Sequence, residues 1–271
     1  MMRKRLFYDK VSFSADTDDI TIIQPRYIHD IDISLTLNQT GATSPTLADM
    51  LSVLNKVQVK LTGKIVTELS GTDILAYTCL VEGKSPKYTV PTADTEYGRV
   101  EGLILPLRLR PGEHVLSVRF FHNSVSTITS EKLSFATLEA DEVLEDRHIE
   151  MPTFNFTPPS TAAYNTALDV SFTGTITGFL IYSTTIPTTT ADTATVKKLR
   201  IKVDGDIVFE DIWENLSAQT PYPEDSTLRS ILDNYVFVDF TKAPIEAGRR
   251  VELEIMSDDT NTVKIIPILR V

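Results

Sequence analysis

The sequence predicts an all-β protein built from two tandem β-sandwich domains, with only a few short helices. Three observations carry this expectation. Apolar and polar residues alternate with period 2 in many segments, a gap-free internal repeat recurs once in the second half, and the composition shifts midway along the chain. Period-2 alternation is the mark of a strand with one buried face, because successive side chains point to opposite sides of a sheet.

In chain order, the first such segment sets Ile31, Ile33, Leu35 and Leu37 against Asp32, Ser34 and Thr36. Leu103, Leu105, Leu107 and Leu109 alternate again and run into Pro111-Gly112. Leu116, Val118 and Phe120 follow, and together the two runs read as a hairpin. Leu133, Phe135 and Thr137 suggest one more strand. Helical signals are short. Ser44-Pro45 offers an N-cap and first position before Leu47, Met50, Leu51 and Leu54, which share one helical face. A second helix is expected near Thr72-Asp73, and a third from Ser226 through Leu228, Ile231 and Leu232. Thr184 to Thr195 reads as a long exposed loop.

The repeat is the most informative feature. Val57, Val59, Leu61, Ile65 and Val66 coincide with Leu199, Ile201, Val203, Ile207 and Val208 at one constant offset, and Lys60 and Gly63 coincide with Lys202 and Gly205. Each copy is a strand, a glycine turn and a second strand. Pro111-Gly112 and Ala247-Gly248 give a second matched turn, after which the alternation is shifted by one residue. A period this long is far above solenoid periods and matches a whole sandwich. Between Glu139 and Glu150 acidic residues cluster, and prolines follow, so the domains are expected at 1–148 and 149–271. Six to eight strand signals per half fit two eight-stranded jelly rolls.

Composition bounds the chemistry. The chain has 271 residues, a formal net charge of −11 and 42% hydrophobic residues. Such acidity argues against specific nucleic-acid binding, which draws on an excess of Lys and Arg. The one basic cluster, Arg3-Lys4-Arg5 with Lys10, reads as a solvated chain start or as a short arm touching an anionic surface such as a membrane or genome. The single cysteine, Cys79, reads as a core residue and suits folding in a reducing host cytoplasm. There is no apolar run of membrane-spanning length and no secretory signal pattern.

Catalytic patterns are lacking, so no enzyme activity is expected. The four histidines, His29, His114, His122 and His148, form no H-x-H pair, and no H-E-x-x-H, G-x-S-x-G or phosphate-binding loop occurs. His29 lies beside Asp30 and Asp32, which read as solvated carboxylates on an exposed strand face. Asp16, Asp18 and Asp19 form an acidic loop, the one candidate for a metal, calcium, because hard cations prefer clustered oxygen ligands. Asp258, Asp259 and Asn261 read as a hairpin turn. Tyr164, Tyr182, Tyr222 and Trp213 are candidates for a sugar-binding surface or for core and interface packing.

Two tandem domains of this plan, on the residues Val57 to Leu75 and Leu199 to Trp213 with terminal strands Val251 to Ile255 and Val263 to Leu269, resemble the double jelly-roll major capsid proteins. These build the shells of tailless icosahedral bacteriophages with an internal membrane, of the corticovirus and tectivirus type. The resemblance implies a homotrimer that forms a pseudo-hexagonal capsomer, contacts with neighbouring capsomers and other capsid proteins, and a place in the virion. It also implies a contact of the basic N-terminus with the internal membrane and supplies no catalytic residue. The competing readings are a minor capsid or receptor-binding protein and a carbohydrate-binding or hydrolytic β-sandwich.

Overall fold

Both halves of the chain fold their alternating segments into antiparallel sheets that face each other in pairs. The computed structural model describes every residue except Asp18, Gln24, Pro25 and Glu113. It divides into two units, Met1–Glu150 and Met151–Val271.

The first unit contains β1 (Met2–Ser12), β2 (Ile20–Ile22), β3 (Tyr27–Gln39), β4 (Leu54–Leu61), β5 (Lys64–Leu69), β6 (Lys87–Thr89), β7 (Tyr97–Leu109), β8 (Leu116–His122), β9 (Ile128–Ala140) and the short β10 (Ile149–Glu150). One sheet has the order β1-β9-β3-β7-β6 and the other β2-β8-β4-β5. The second unit contains β11 (Phe154–Phe156), β12 (Tyr164–Ser171), β13 (Thr175–Ser183), β14 (Lys198–Val203), β15 (Asp206–Ile212), β16 (Tyr235–Asp239), β17 (Arg250–Met256) and β18 (Val263–Arg270). Here β11 pairs with β18, which is followed by β13 and β16, and the facing sheet runs β12-β17-β14-β15. Each unit is an eight-stranded jelly roll, with β6 and the two-residue β10 additional to the eight in the first.

The cores lie where alternation places them. Leu35, Val59, Val118, Ile201 and Leu253 are fully buried and Val203 is nearly so. Phe120 of one sheet meets Phe135 of the facing sheet edge-on, with ring centroids 5.5 Å apart. In the second unit Phe179, Ile201, Leu253 and Ile265 belong to one buried cluster with Trp213. Each such side chain stabilises its sandwich by about 1.5–3 kcal/mol relative to exposure.

The repeat is structural in detail. Val57 pairs with Leu69, Val59 with Thr67 and Leu61 with Lys64; at the same offset Leu199 pairs with Asp211, Ile201 with Phe209 and Val203 with Asp206. Both hairpins bulge at the same step, between Val59 and Lys60 and between Ile201 and Lys202. Both turn through two residues of positive φ, Thr62 (50°) and Gly63 (85°), Asp204 (51°) and Gly205 (93°). Two left-handed residues make the turn whose twist fits a two-residue hairpin, and a glycine carries the second without a Cβ clash. The third strand of each sheet docks alike, since Thr62 N–H donates to Val115 O and Asp204 N–H to Arg250 O. Gly112 precedes its paired residue by three positions and Gly248 by two, which accounts for the one-residue shift after these glycines.

Four helices occur among the described residues. Helix α1 (Leu47–Ser52) is capped by Thr46, not Ser44: Thr46 and Asp49 bond each other's backbone N–H in a capping box, which outcompetes the lone serine two positions earlier. Helix α2 (Gly71–Ala76) has the same box from Ser70 and Asp73 and continues into a π-helical turn, Tyr77–Val81. Helix α3 (Trp213–Gln219) begins at the repeat equivalent of the α2 start and has no side-chain cap on Ile212, so sequence signals missed it. Helix α4 (Ser226–Leu232) is capped by Asp225.

Two expected hairpins are corrected. β7 pairs with β3 and β6, while β8 pairs with β2 and β4, so the Pro111-Gly112 segment joins two sheets. Asp258 to Asn261 likewise joins β17 to β18 of the facing sheet. Alternation reports which face is buried, not which strand lies alongside. The chain start is also no free arm: Met2–Ser12 is a sheet strand paired with β9.

Candidate functional surfaces

A buried charge cluster in the first unit is the densest polar grouping. Arg108, near the end of β7, carries a strained positive φ of 55° and is almost fully buried. Its guanidinium pairs with Asp30 of β3, with Glu82 at 3.5 Å and with Glu145 at 3.2 Å, and it donates to His29 O at 2.8 Å. His29 Nδ1 lies 2.7 Å from the Asp30 carboxylate, and Tyr77 donates to Glu82 at 2.8 Å. Burial pushes Tyr77 well up, and burial with the Glu145 charge pushes Tyr27 up to about 12. Burial opposes the charge of Arg108, but Asp30 and its acidic neighbours outweigh it and raise the net value. The solvated reading of Asp30 is therefore overturned: its partner, Arg108, lies 78 residues away in sequence. Through Arg108 the cluster ties the segment carrying Glu145 to β3 and β7.

The remaining sequence candidates are dispersed. Asp16 accepts the His122 backbone N–H at 3.0 Å, Asp19 pairs with Lys60 at 2.7 Å, and Asp18 lies outside the described residues. Among the described residues no group of three or more His, Cys, Asp or Glu converges as metal ligands. His114 and His148 meet edge to face with centroids 5.3 Å apart, and His122 lies 3.4 Å from Glu131. Cys79 is buried. Trp213 is buried in the core, Tyr182 packs on Tyr235, and Tyr222 donates to Tyr235 O. Tyr164 carries the Arg200 guanidinium on its ring face at 3.9 Å and donates to Glu210 at 2.6 Å. These aromatics do not form one platform.

The basic chain start is neutralised within the first unit. Arg3 pairs with Asp141 at 3.5 Å and Lys4 with Asp32, in exposed or half-exposed surroundings where such pairs contribute little, and Arg5 reaches the buried Glu139 at 3.9 Å.

Exposed apolar residues are the other feature. Ile65 in β5 and its repeat equivalent Ile207 in β15 are both about half exposed, on strands with an open edge. In the second unit Val208 joins them, beside a groove of about 450 Å³ lined by Val203, Asp206, Val208, Phe240, Ile245 and Arg249. Open strand edges carrying large apolar side chains are sites of pairing with another chain. Sequence reasoning missed this surface, because its apolar residues share the pattern of core strands.

No family model matches the chain, and no curated protein matches its sequence. Solved structures do match over the full length. The crystal structure of the STIV MCP superposes with a TM-score of 0.76 at 13% identity, covering 100% of this chain and 97% of that one. The atomic structure of Sulfolobus Turreted Icosahedral Virus gives 0.75 at 13% identity, with 100% and 90% coverage. The major capsid protein P2 from bacteriophage PM2 gives 0.64 at 12% identity, with 100% and 97% coverage. At these identities the likeness establishes the fold, the double jelly roll.

Proposed function

We propose that this chain is a major capsid protein whose trimers form pseudo-hexagonal capsomers of an icosahedral shell. The observation that carries the reading is the duplication itself: one chain holds two jelly rolls whose hairpins agree in register, bulge and turn. A trimer of such a chain presents six similar domains and so fills a six-fold lattice position with three subunits. The full-length likeness to capsid proteins of icosahedral viruses supports the same role. Its partners are then copies of itself, neighbouring capsomers and other capsid proteins, and its location is the virion after folding in the host cytoplasm. The narrower assignment, to tailless phages with an internal membrane, draws on the likeness to the major capsid protein P2 from bacteriophage PM2.

Electron microscopy and light scattering of the purified protein test the reading. Trimers with a hexagonal outline, or shells tiled by them, are expected. A species that stays monomeric at all concentrations overturns it.

A further inference from the structure

The internal repeat makes one surface of the second unit incomplete. Lys64, the first residue of β5, pairs with Glu150 at 3.4 Å, and Glu150 also accepts from His148 at 3.1 Å. At the repeat offset Lys64 corresponds to Asp206, which lines the open groove. The hairpin residue Val66 is 3% exposed, whereas its equivalent Val208 is 49% exposed. What is covered in one copy of the hairpin is bare in the other.

Register identifies the residue that corresponds to Glu150. Ile104 and Phe237 are equivalent, because each donates its N–H to the matched threonine, Thr78 or Thr220. Asp32 lies opposite Ile104, and Leu180 opposite Phe237. One strand further, Ala136 lies opposite Asp32 and Ile266 opposite Leu180. Phe135 and Ile265 thus coincide, and so do their partners Tyr8 in β1 and Phe154 in β11. Counting back, with the bulge between Leu6 and Tyr8 allowed for, Arg3 takes the position of Glu150 and Met2 that of Ile149. Ile149 is buried, while Met2 and Met1 are 45% and 84% exposed.

The pair Lys64–Glu150 therefore has a counterpart, Asp206 and Arg3, with both charges reversed and with both members exposed. We propose that the start of β1 from a second copy of this chain, Met1 to Arg3, docks on the groove of the second unit, with Arg3 pairing Asp206 and the methionines covering Val208. The inference rests on the capsomer reading and names its contact. Arg3 can leave Asp141 without stranding that carboxylate, because Arg26 holds it at 3.0 Å. A contact from the second unit of one copy to the first strand of the next is head-to-tail, and three such contacts close a ring.

Charge reversal tests the pair in the full chain. By sedimentation velocity, Asp206→Lys alone and Arg3→Glu alone are each expected to weaken self-association by about tenfold or more, since like charges then face each other. The double variant, which recreates the Lys64–Glu150 arrangement, is expected to restore it. As a second measurement, Arg3→Cys combined with Asp206→Cys is expected to give disulfide-linked oligomers on mild oxidation, with Cys79 buried and silent. Single variants that associate like the wild type, together with no cross-link, overturn the contact and leave the capsomer reading standing. A wild-type chain that never associates overturns both.

Discussion

Thr78 and Thr220, equivalent positions of the internal repeat, make the same two hydrogen bonds. Each hydroxyl donates to the carbonyl four residues back, Ile74 at 2.7 Å and Leu216 at 2.8 Å. Each also accepts the backbone N–H of a strand in the facing sheet, from Ile104 at 2.9 Å and Phe237 at 3.1 Å. The threonine thus fastens the helical segment after the repeated hairpin to the opposite sheet. Removing the hydroxyl without changing shape leaves a buried N–H unpaired, at a cost of about 1–3 kcal/mol. Thr78→Val and Thr220→Val should each lower denaturant stability by that amount, whereas Thr→Ser should lower it less. Equal stability of the valine variants would show that water replaces the bond.

The hairpin repeat was legible because its apolar positions, its glycine and its spacing are all local. The threonine pair was not, since its acceptor role depends on strands 26 and 17 residues further along. Asp30 illustrates the same limit. Its neighbours His29 and Asp32 suggest a wet face, and only the fold brings Arg108 to it. The start of β1 reads as a loose basic arm because Arg3, Lys4 and Arg5 obscure the alternation of an edge strand. The groove beside Val208 has no sequence signal at all: an apolar residue reads as core until the strand that covers it is found missing.

Paired core positions should respond alike. Ile201 and Leu253 are fully buried neighbours across β14 and β17. Ile201→Ala or Leu253→Ala should cost about 2–5 kcal/mol by chemical denaturation. Val203→Asp places an unpaired carboxylate in the core and should leave no soluble folded protein. A soluble Val203→Asp variant with ordinary melting would mean that this side chain faces outward.

The Arg108 cluster predicts an asymmetry. Arg108→Leu strands Asp30, which is 3% exposed, and should cost about 3–5 kcal/mol in the full chain. Replacing both members, Arg108→Leu with Asp30→Leu, should cost less than the single change, because no buried charge is left alone. Urea denaturation of the two variants measures the difference. A double variant less stable than Arg108→Leu would show that the hydrogen bonds around His29 and Glu82 outweigh the desolvation term.

Glu150 gives a pH signature. Burial alone would raise its carboxyl, but the His148 hydrogen bond and the Lys64 ammonium outweigh burial and hold it below the ordinary value. A lowered folded value means that the contribution to stability is complete above the unfolded glutamate range, about 4.3. It is lost as pH falls through the folded value. Melting temperatures of the wild type and Glu150→Gln should therefore differ near neutrality and converge in acid. Curves that stay parallel down to low pH would show that Glu150 is not linked to folding.

A shell of subunits each carrying a net charge of −11 brings like charges close, and screening at physiological salt extends over only about 8 Å, so interfaces feel the repulsion. Relief comes from interleaved opposite charges or from bridging cations. The acidic loop at Asp16 to Asp19 is the one place where the sequence suggested calcium. Its described carboxylates are engaged: Asp19 faces Lys60 at 2.7 Å and Asp16 accepts the His122 N–H. A cation there would have to displace an ammonium group that already neutralises the site. Assembled particles treated with a calcium chelator at fixed ionic strength should therefore stay intact, as judged by light scattering. Lys60→Gln frees Asp19 and should make assembly more, not less, responsive to added calcium. Dissociation of wild-type particles by chelator, reversed by calcium and abolished by Asp16→Asn with Asp19→Asn, would instead place a bridging ion in this loop.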